Sequence, residues 1–374
     1  MAHVGSTETN MLESLIETYG ESAVLAAGGA LVGILFGFFA QRSRFCLRAA
    51  VIDFWHMRFG EKLSIWLLTF SSAVVAVQLM VLMGWLDTSY ARQISATGSL
   101  SGALIGGLLF GVGMILTRGC ASRLLVLSAN GNLRALLAGL IFAVTAQASL
   151  SGVLAPLRHE MATWWTIDGG VSRDILASLN LNHTAGLVFG LIWALAALYF
   201  VRLNRNISQW LWLAGIGTGI MVAAAWGFTQ LVLNHSFEAI QIQGLTFSGP
   251  SADWLMRVVE APSAEFGFDA GMLPGVFLGS LMGAWLGKDL KLEGFKDGYS
   301  MRRYIAGAVL MGFGSMLAGG CAVGAGITGG AIFAVTAWVT LVGMWLGAGI
   351  TDWLVDGRPE KTLLGQPAAV PVVP

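Results

Sequence analysis

Gly111-Val112-Gly113-Met114-Ile115-Leu116-Thr117-Arg118-Gly119-Cys120-Ala121 is met twice in this chain, and the repetition decides how the rest is read. The second copy is Gly312-Phe313-Gly314-Ser315-Met316-Leu317-Ala318-Gly319-Gly320-Cys321-Ala322. Aligning 106–121 with 307–322 without a gap gives eight identities in sixteen positions: Gly106/Gly307, Leu109/Leu310, Gly111/Gly312, Gly113/Gly314, Leu116/Leu317, Gly119/Gly320, Cys120/Cys321 and Ala121/Ala322. Each copy is an apolar segment that ends in Gly-Cys and continues into small residues. The chain carries a duplicated element with a thiol at its tip.

Composition around this element leaves one class. The chain is 56% hydrophobic and 11% charged, with a mean hydropathy of +0.72. A soluble domain carries about 25% charged residues, so this is an all-α polytopic membrane protein. Zero net charge gives no argument for nucleic-acid binding. Three cysteines far apart in sequence make no metal-ligand cluster, and none lies in a long extramembrane loop suited to a structural disulfide. The histidines are scattered without an HExxH-like pair, so neither metal nor cofactor is expected. Residues 1–22 hold Glu8, Glu13, Glu17 and Glu21 but no Lys or Arg, which a secretory signal would need.

A hydrocarbon core about 30 Å thick needs roughly 20 apolar residues per helical crossing. On that measure nine spans are predicted, at 23–40, 63–84, 100–117, 133–154, 183–201, 207–231, 271–287, 303–318 and 331–350. With the N-terminus outside, seventeen Lys and Arg fall inside, and Arg92, Arg158, Arg173 and Arg257 alone fall outside. Basic residues favour the cytoplasmic face, so the expected topology is N-terminus periplasmic, C-terminus cytoplasmic. Five spans separate the starts of the two Gly-Cys copies, and five is odd. The copies therefore enter the membrane from opposite faces. The expected parse is a periplasmic segment 1–22, a first repeat 23–154, a connecting span 183–201, an inverted second repeat 207–350, and a cytoplasmic tail 351–374. Inverted repeats of this kind typify secondary transporters, whose sites lie near the midplane at the repeat interface.

Between the spans lie segments too short to cross. Gln41-Arg42-Ser43-Arg44-Phe45-Cys46-Leu47-Arg48-Ala49-Ala50 opens a stretch (41–62) that suits a re-entrant piece. Its inverted partner is expected at 240–262, where Phe247-Ser248 aligns with Phe45-Cys46 and puts Ser248 in the place of a missing fourth cysteine. Further re-entrant segments are expected at 118–132 and 319–330, with Gly119 and Gly320 permitting the sharp reversal. If short helices begin there, their free N–H groups favour an anion. Two such turns from opposite sides would form a narrow waist lined by sulfur and amide donors.

A lone membrane cysteine is more often a small packing residue than a functional one; the duplicated Gly-Cys context favours function for Cys120 and Cys321. Glycines at GxG and GxxxG spacing are mostly packing positions. The arginines mainly set orientation, and Arg48, Arg118 and Arg123, nearest the cysteines, are also candidates for attracting an anion. Asp53 reads as an ion-pair partner of Arg48. Trp164, Trp165, Trp226 and Trp285 read as interface anchors or packing.

Taken together, RSRFCLRAA (Arg42–Ala50), GVGMILTRGCA (Gly111–Ala121), LTFSGPSADW (Leu245–Trp254) and GFGSMLAGGCA (Gly312–Ala322) resemble the YeeE/YedE family of bacterial sulfur-transport membrane proteins. The resemblance covers roughly residues 25–350. It implies an inner-membrane protein, not an enzyme, whose inverted halves bring re-entrant loops to the centre. It also implies thiosulfate uptake, with Cys46, Cys120 and Cys321 as a relay, and cooperation with a small cytoplasmic TusA-like sulfur-carrier protein. Relatives linked to selenium metabolism keep another sulfur or selenium species open as substrate. Neutral thiols would pass the dianion by S–H hydrogen bonds, weak donors that admit it and release it. Two other readings stand beside this one: a membrane sulfur-transfer or redox protein using the cysteines as nucleophiles, and a channel for another small anion or neutral solute.

Overall fold

In the computed structural model, residues 13–204, 208–236, 241–259, 266–295 and 298–355 are described. Most of the expected N-terminal segment and C-terminal tail lies outside them. In chain order come α1 (Glu21–Ser43), α2 (Leu47–Trp55), α3 (Glu61–Leu82), α4 (Leu100–Leu116), α5 (Ala121–Ala129), α6 (Leu133–Leu150) and α7 (Ala155–Thr163). Then follow α8 (His183–Leu203), α9 (Gln209–His235), α10 (Ser248–Val259), α11 (Phe268–Gly287), α12 (Gly298–Leu317) and α13 (Val335–Val355). The protein is all-α and polytopic. Among the described residues eight helices are long and apolar enough to cross a membrane: α1, α3, α4, α6, α8, α9, α11 and α13. That is one fewer than the nine expected. The remaining segment, α12, has 20 residues, but its first turns hold Arg302 and Arg303 and lower its apolar content.

Helix contact is made through glycine. Gly29, Gly33 and Gly37 of α1 and Gly271, Gly275 and Gly279 of α11 interlock, so that a Cβ at any of them would overlap backbone of the other helix. Apolar side chains gain nothing by leaving lipid for protein, so close backbone packing through small residues must supply the attraction. Along α9 and α3 the contact is sealed by hydroxyls, with Thr69 Oγ1 donating to the Gly215 carbonyl at 3.0 Å and Ser72 Oγ to that of Ile216 at 3.3 Å. At the centre Gly106 of α4 meets Gly314 of α12, and Gly113 meets Gly307. Five of the eight duplicated positions thus lie within these two helices. Exchanging α1 with α9, α3 with α11, α4 with α12 and α6 with α13 leaves the pairings among these eight helices unchanged, while α8 packs on α3 alone of the exchanged pair α3 and α11. The contact α1–α11 becomes α9–α3, and α4–α13 becomes α12–α6.

Short elements fill the spaces between. At 1.5 Å per residue, α2 and α5 span about 14 Å, roughly half of a bilayer core. α2 rests on α3 and α13, and α10 on α11 and α6. Residues 155–182 connect two spans, yet they are ordered: α7 leads into a strand, Thr166–Ile167, that pairs antiparallel with Gly98–Ser99. A 3-10 turn at Val171–Arg173 follows. Trp226 is fully buried as packing, whereas Trp164, Trp165 and Trp285 stand exposed as interfacial anchors do.

Candidate functional site

All three cysteines are presented by one backbone device. Two residues before each stands a residue in the left-handed region: Arg44 (φ 53°) before Cys46, Arg118 (φ 58°) before Cys120, and Gly319 (φ 75°) before Cys321. Each closes the preceding helix, and Cys46 and Cys120 then take extended backbone as the caps of α2 and α5. The reversal expected at Gly119 and Gly320 thus falls one residue earlier. Gly119 instead offers its carbonyl to Thr117 Oγ1 at 2.8 Å. Gly320 is required for space, because a Cβ there would lie 2.9 Å from the Ala325 nitrogen. After Cys321 no short α-helix begins; Gly324–Gly329 wind as a wider π turn, with the Ile327 and Thr328 amides both donating to the Val323 carbonyl.

Cys120 and Cys321 are buried, Cys46 is half-buried, and none is in a disulfide. Cys120 has both other thiols within electrostatic range, and Arg123 has Cys46 and Cys120 within its own. The sulfur of Cys321 accepts the amide hydrogens of Phe247 at 3.3 Å and Gly324 at 3.4 Å, which leaves its S–H free to donate. Cys120 Sγ lies 3.4 Å from Ser122 Oγ. Ser248 does not repeat the left-handed turn of the cysteines. It is buried, 3.4 Å from Thr246 Oγ1, at the end of a segment that clamps the Cys321 loop through Phe247 and through a 2.6 Å bond from Thr328 Oγ1 to the Leu245 carbonyl.

The candidate arginines divide. Arg123 is half-buried beside the thiols, and its Nη1 is buried without a hydrogen-bond partner. Arg48 is half-buried on α2, while the Arg118 side chain is exposed. In place of Arg48, Asp53 has Lys62 and Arg58 as its cationic neighbours, with the Leu63 backbone against the carboxylate. The cause is local, since the turn after α2 brings the start of α3 back over that carboxylate.

On the side of Cys321 opens a cavity of about 560 Å³, walled by the loops 92–99, 158–173 and 241–253 and floored by Gly319, Gly324 and Ser248. Arg92, Arg158 and Arg173 line it, and among the described residues none of the three pairs with a carboxylate. Arg173 is only 6% exposed. It donates to the Ala96 carbonyl at 2.5 Å and to Thr336 Oγ1 at 2.6 Å, and its Nε is buried with no partner. Gly98 makes room for that guanidinium, which a Cβ would meet at 2.7 Å. Burial pushes the Arg173 pKa down from its ordinary value, with Arg92 adding to the effect, so the site holds a cation short of compensating charge. In the sequence these three are among the four basic residues that the expected topology leaves outside. That exceptional status was the signal in the sequence, and orientation counting absorbed it. Among the described residues no group of three His, Cys, Asp or Glu could hold a metal ion.

A family model described as sulphur transport matches residues 42–350 of the chain. Across 354 residues, 89% of this chain and 95% of the relative, it is 26% identical to a protein named thiosulfate transporter TsuA from Escherichia coli strain K12. A protein of the same name from Spirochaeta thermophila is 24% identical over 343 residues, 88% of this chain and 99% of the relative. With a family match over most of its length and a bundle of long apolar helices, the chain is a multi-pass member of the sulphur-transport family, a transporter and not an enzyme.

Proposed function

We propose that the protein takes up thiosulfate through a central, cysteine-lined waist. The observation that carries this reading is the buried guanidinium of Arg173, an anion attractant over a cavity whose floor is the Cys321 loop. The names of the two relatives supply the anion. The dianion gathers among Arg92, Arg158 and Arg173 and reaches the S–H of Cys321. It passes to Cys120 and then to Cys46, beside which Arg123 draws it on. An S–H donates weakly, and a path that conducts must hold its ion loosely enough to release it.

The helix pairings that survive exchange of the two halves support the division into inverted repeats 23–154 and 207–350 about the span 183–201, with the waist at their interface. The seventeen-to-four bias of basic residues supports a bacterial inner-membrane protein with its N-terminus periplasmic and the arginine cavity facing the periplasm. Handover to a small TusA-like cytoplasmic carrier is an expectation of family resemblance alone. Radiolabelled thiosulfate uptake in a bacterial strain lacking its own uptake systems tests the whole. The wild-type chain should restore uptake and Cys120→Ala should abolish it with the protein still folded in membranes; unchanged uptake would refute the relay.

A further inference from the structure

Two carboxylates share the cavity with the arginines. Asp253 of α10 and Asp269 at the start of α11 lie in the wall between the large cavity and a smaller one of about 200 Å³. No hydrogen bond or ion pair to either carboxylate is formed among the described residues, and Oδ1 of Asp269 is buried without a donor. Trp254, next to Asp253, fixes the geometry by donating from its indole Nε1 to the Ala270 carbonyl at 3.0 Å, which ties α10 to the first turn of α11. An ionised carboxylate can only accept hydrogen bonds, so a buried oxygen without a donor keeps its desolvation cost uncompensated.

Few charges face Asp269. Asp253 and Arg92 are its electrostatic neighbours, and Arg257 acts on Asp253 from the same helix. Of the other elements packed on α11, α1 contributes Glu21 at its N-terminal end and Arg42 at the far end, where α5 contributes Arg123 near Asp289. α9, whose Phe228 meets Phe268, contributes only His235 at its C-terminus. Burial raises the Asp253 carboxyl from its ordinary value, against the pull of Arg257. A dianion held by Arg173 would meet two negative groups across the same cavity. One proton on the pair removes a charge and turns an orphaned acceptor into a donor.

We propose that Asp269, with Asp253 beside it, is a proton site linked to anion occupancy of the cavity, so that a proton is taken up as the dianion binds. This rests on the cavity being the anion's mouth. Linkage is reciprocal: the anion raises proton affinity, and protonation raises anion affinity by up to about tenfold per pH unit for one coupled proton.

The test is calorimetric titration of the full-length protein in detergent with thiosulfate, at one pH in two buffers of different ionisation enthalpy. Wild type should take up close to one proton per anion. Asp269→Asn should bind with almost no proton uptake and with an affinity that no longer rises as pH falls, and Asp269→Glu should recover the uptake. The proposal is overturned by anion binding without proton uptake in the wild type, by full uptake in Asp269→Asn, or by a dependence on sodium in place of protons. Failure of the wild type to bind thiosulfate at any pH would instead bring down the transport reading, and this one with it.

Discussion

Cys321→Ala separates what a thiol does for the fold from what it does for transport. The Cys321 sulfur accepts two backbone N–H groups, from Phe247 at 3.3 Å and Gly324 at 3.4 Å, and both residues are buried. Alanine leaves both donors orphaned. A buried donor without a partner costs about 1–3 kcal/mol; sulfur is a weak acceptor, so the lower end applies, about 2 kcal/mol for the pair. Loss of the sulfur atom itself adds about 1 kcal/mol through the space it leaves. Cys120→Ala loses a contact with the rotatable hydroxyl of Ser122 and a weak one with the Arg123 backbone, so the space left by the sulfur dominates its cost, about 1 kcal/mol. Cys321→Ala should therefore be the less stable variant by about 2 kcal/mol, and Cys321→Ser, whose hydroxyl can accept, should recover most of the difference. Thermal unfolding of the three variants in one detergent measures this, and uptake assayed in parallel shows whether Cys120→Ala is folded yet inactive. Equal stability of Cys321→Ala and Cys120→Ala would falsify the assignment of the Cys321 sulfur as an acceptor.

Other expectations follow from the same geometry. Arg173→Gln removes a charge-assisted hydrogen bond of about 1.5–3 kcal/mol, so thiosulfate affinity should fall by about 10- to 150-fold, with Arg173→Lys in between because it keeps the charge but not the planar fork; unchanged affinity in equilibrium binding takes Arg173 off the path. Gly275→Val forces side-chain atoms into the Ala30 backbone of α1 and should sharply reduce folded protein in membranes, whereas Gly139→Val, with open space around it, should express normally. Gly319→Ala places a Cβ in the left-handed region at a cost of about 1–2 kcal/mol, and Arg118→Gly should gain a similar amount; a melting-temperature series in which both variants move in the same direction contradicts the turn geometry.

Membrane class and the positions of eight of the nine expected spans were legible in the sequence because hydropathy sums over neighbours in the chain, and a bilayer imposes that sum on each helix separately. The kinship of the Cys120 and Cys321 turns was legible because duplication recorded it in the letters Gly-Cys. Local conformation was less so. The left-handed residue belongs to Arg118 in one copy and Gly319 in the other, and an arginine there does not announce the turn. The duplicated glycines were half understood: Gly119 and Gly320 are at the tip, but Gly106, Gly113, Gly307 and Gly314 are shared because two helices cross face to face.

What the sequence alone determined is the kind of protein and the duplicated Gly-Cys tips at its proposed centre. What tertiary structure decided is which charges face that centre. Arg92 comes from one stretch of chain and Arg158 and Arg173 from another, both too polar to cross, and each arginine is unremarkable where it stands. Only when a two-residue strand pair and a 3-10 turn fold over the Cys321 loop do their guanidinium groups share one cavity with Asp253 and Asp269. An electrostatic field depends on distances through space, and those distances are not a function of spacing along the chain.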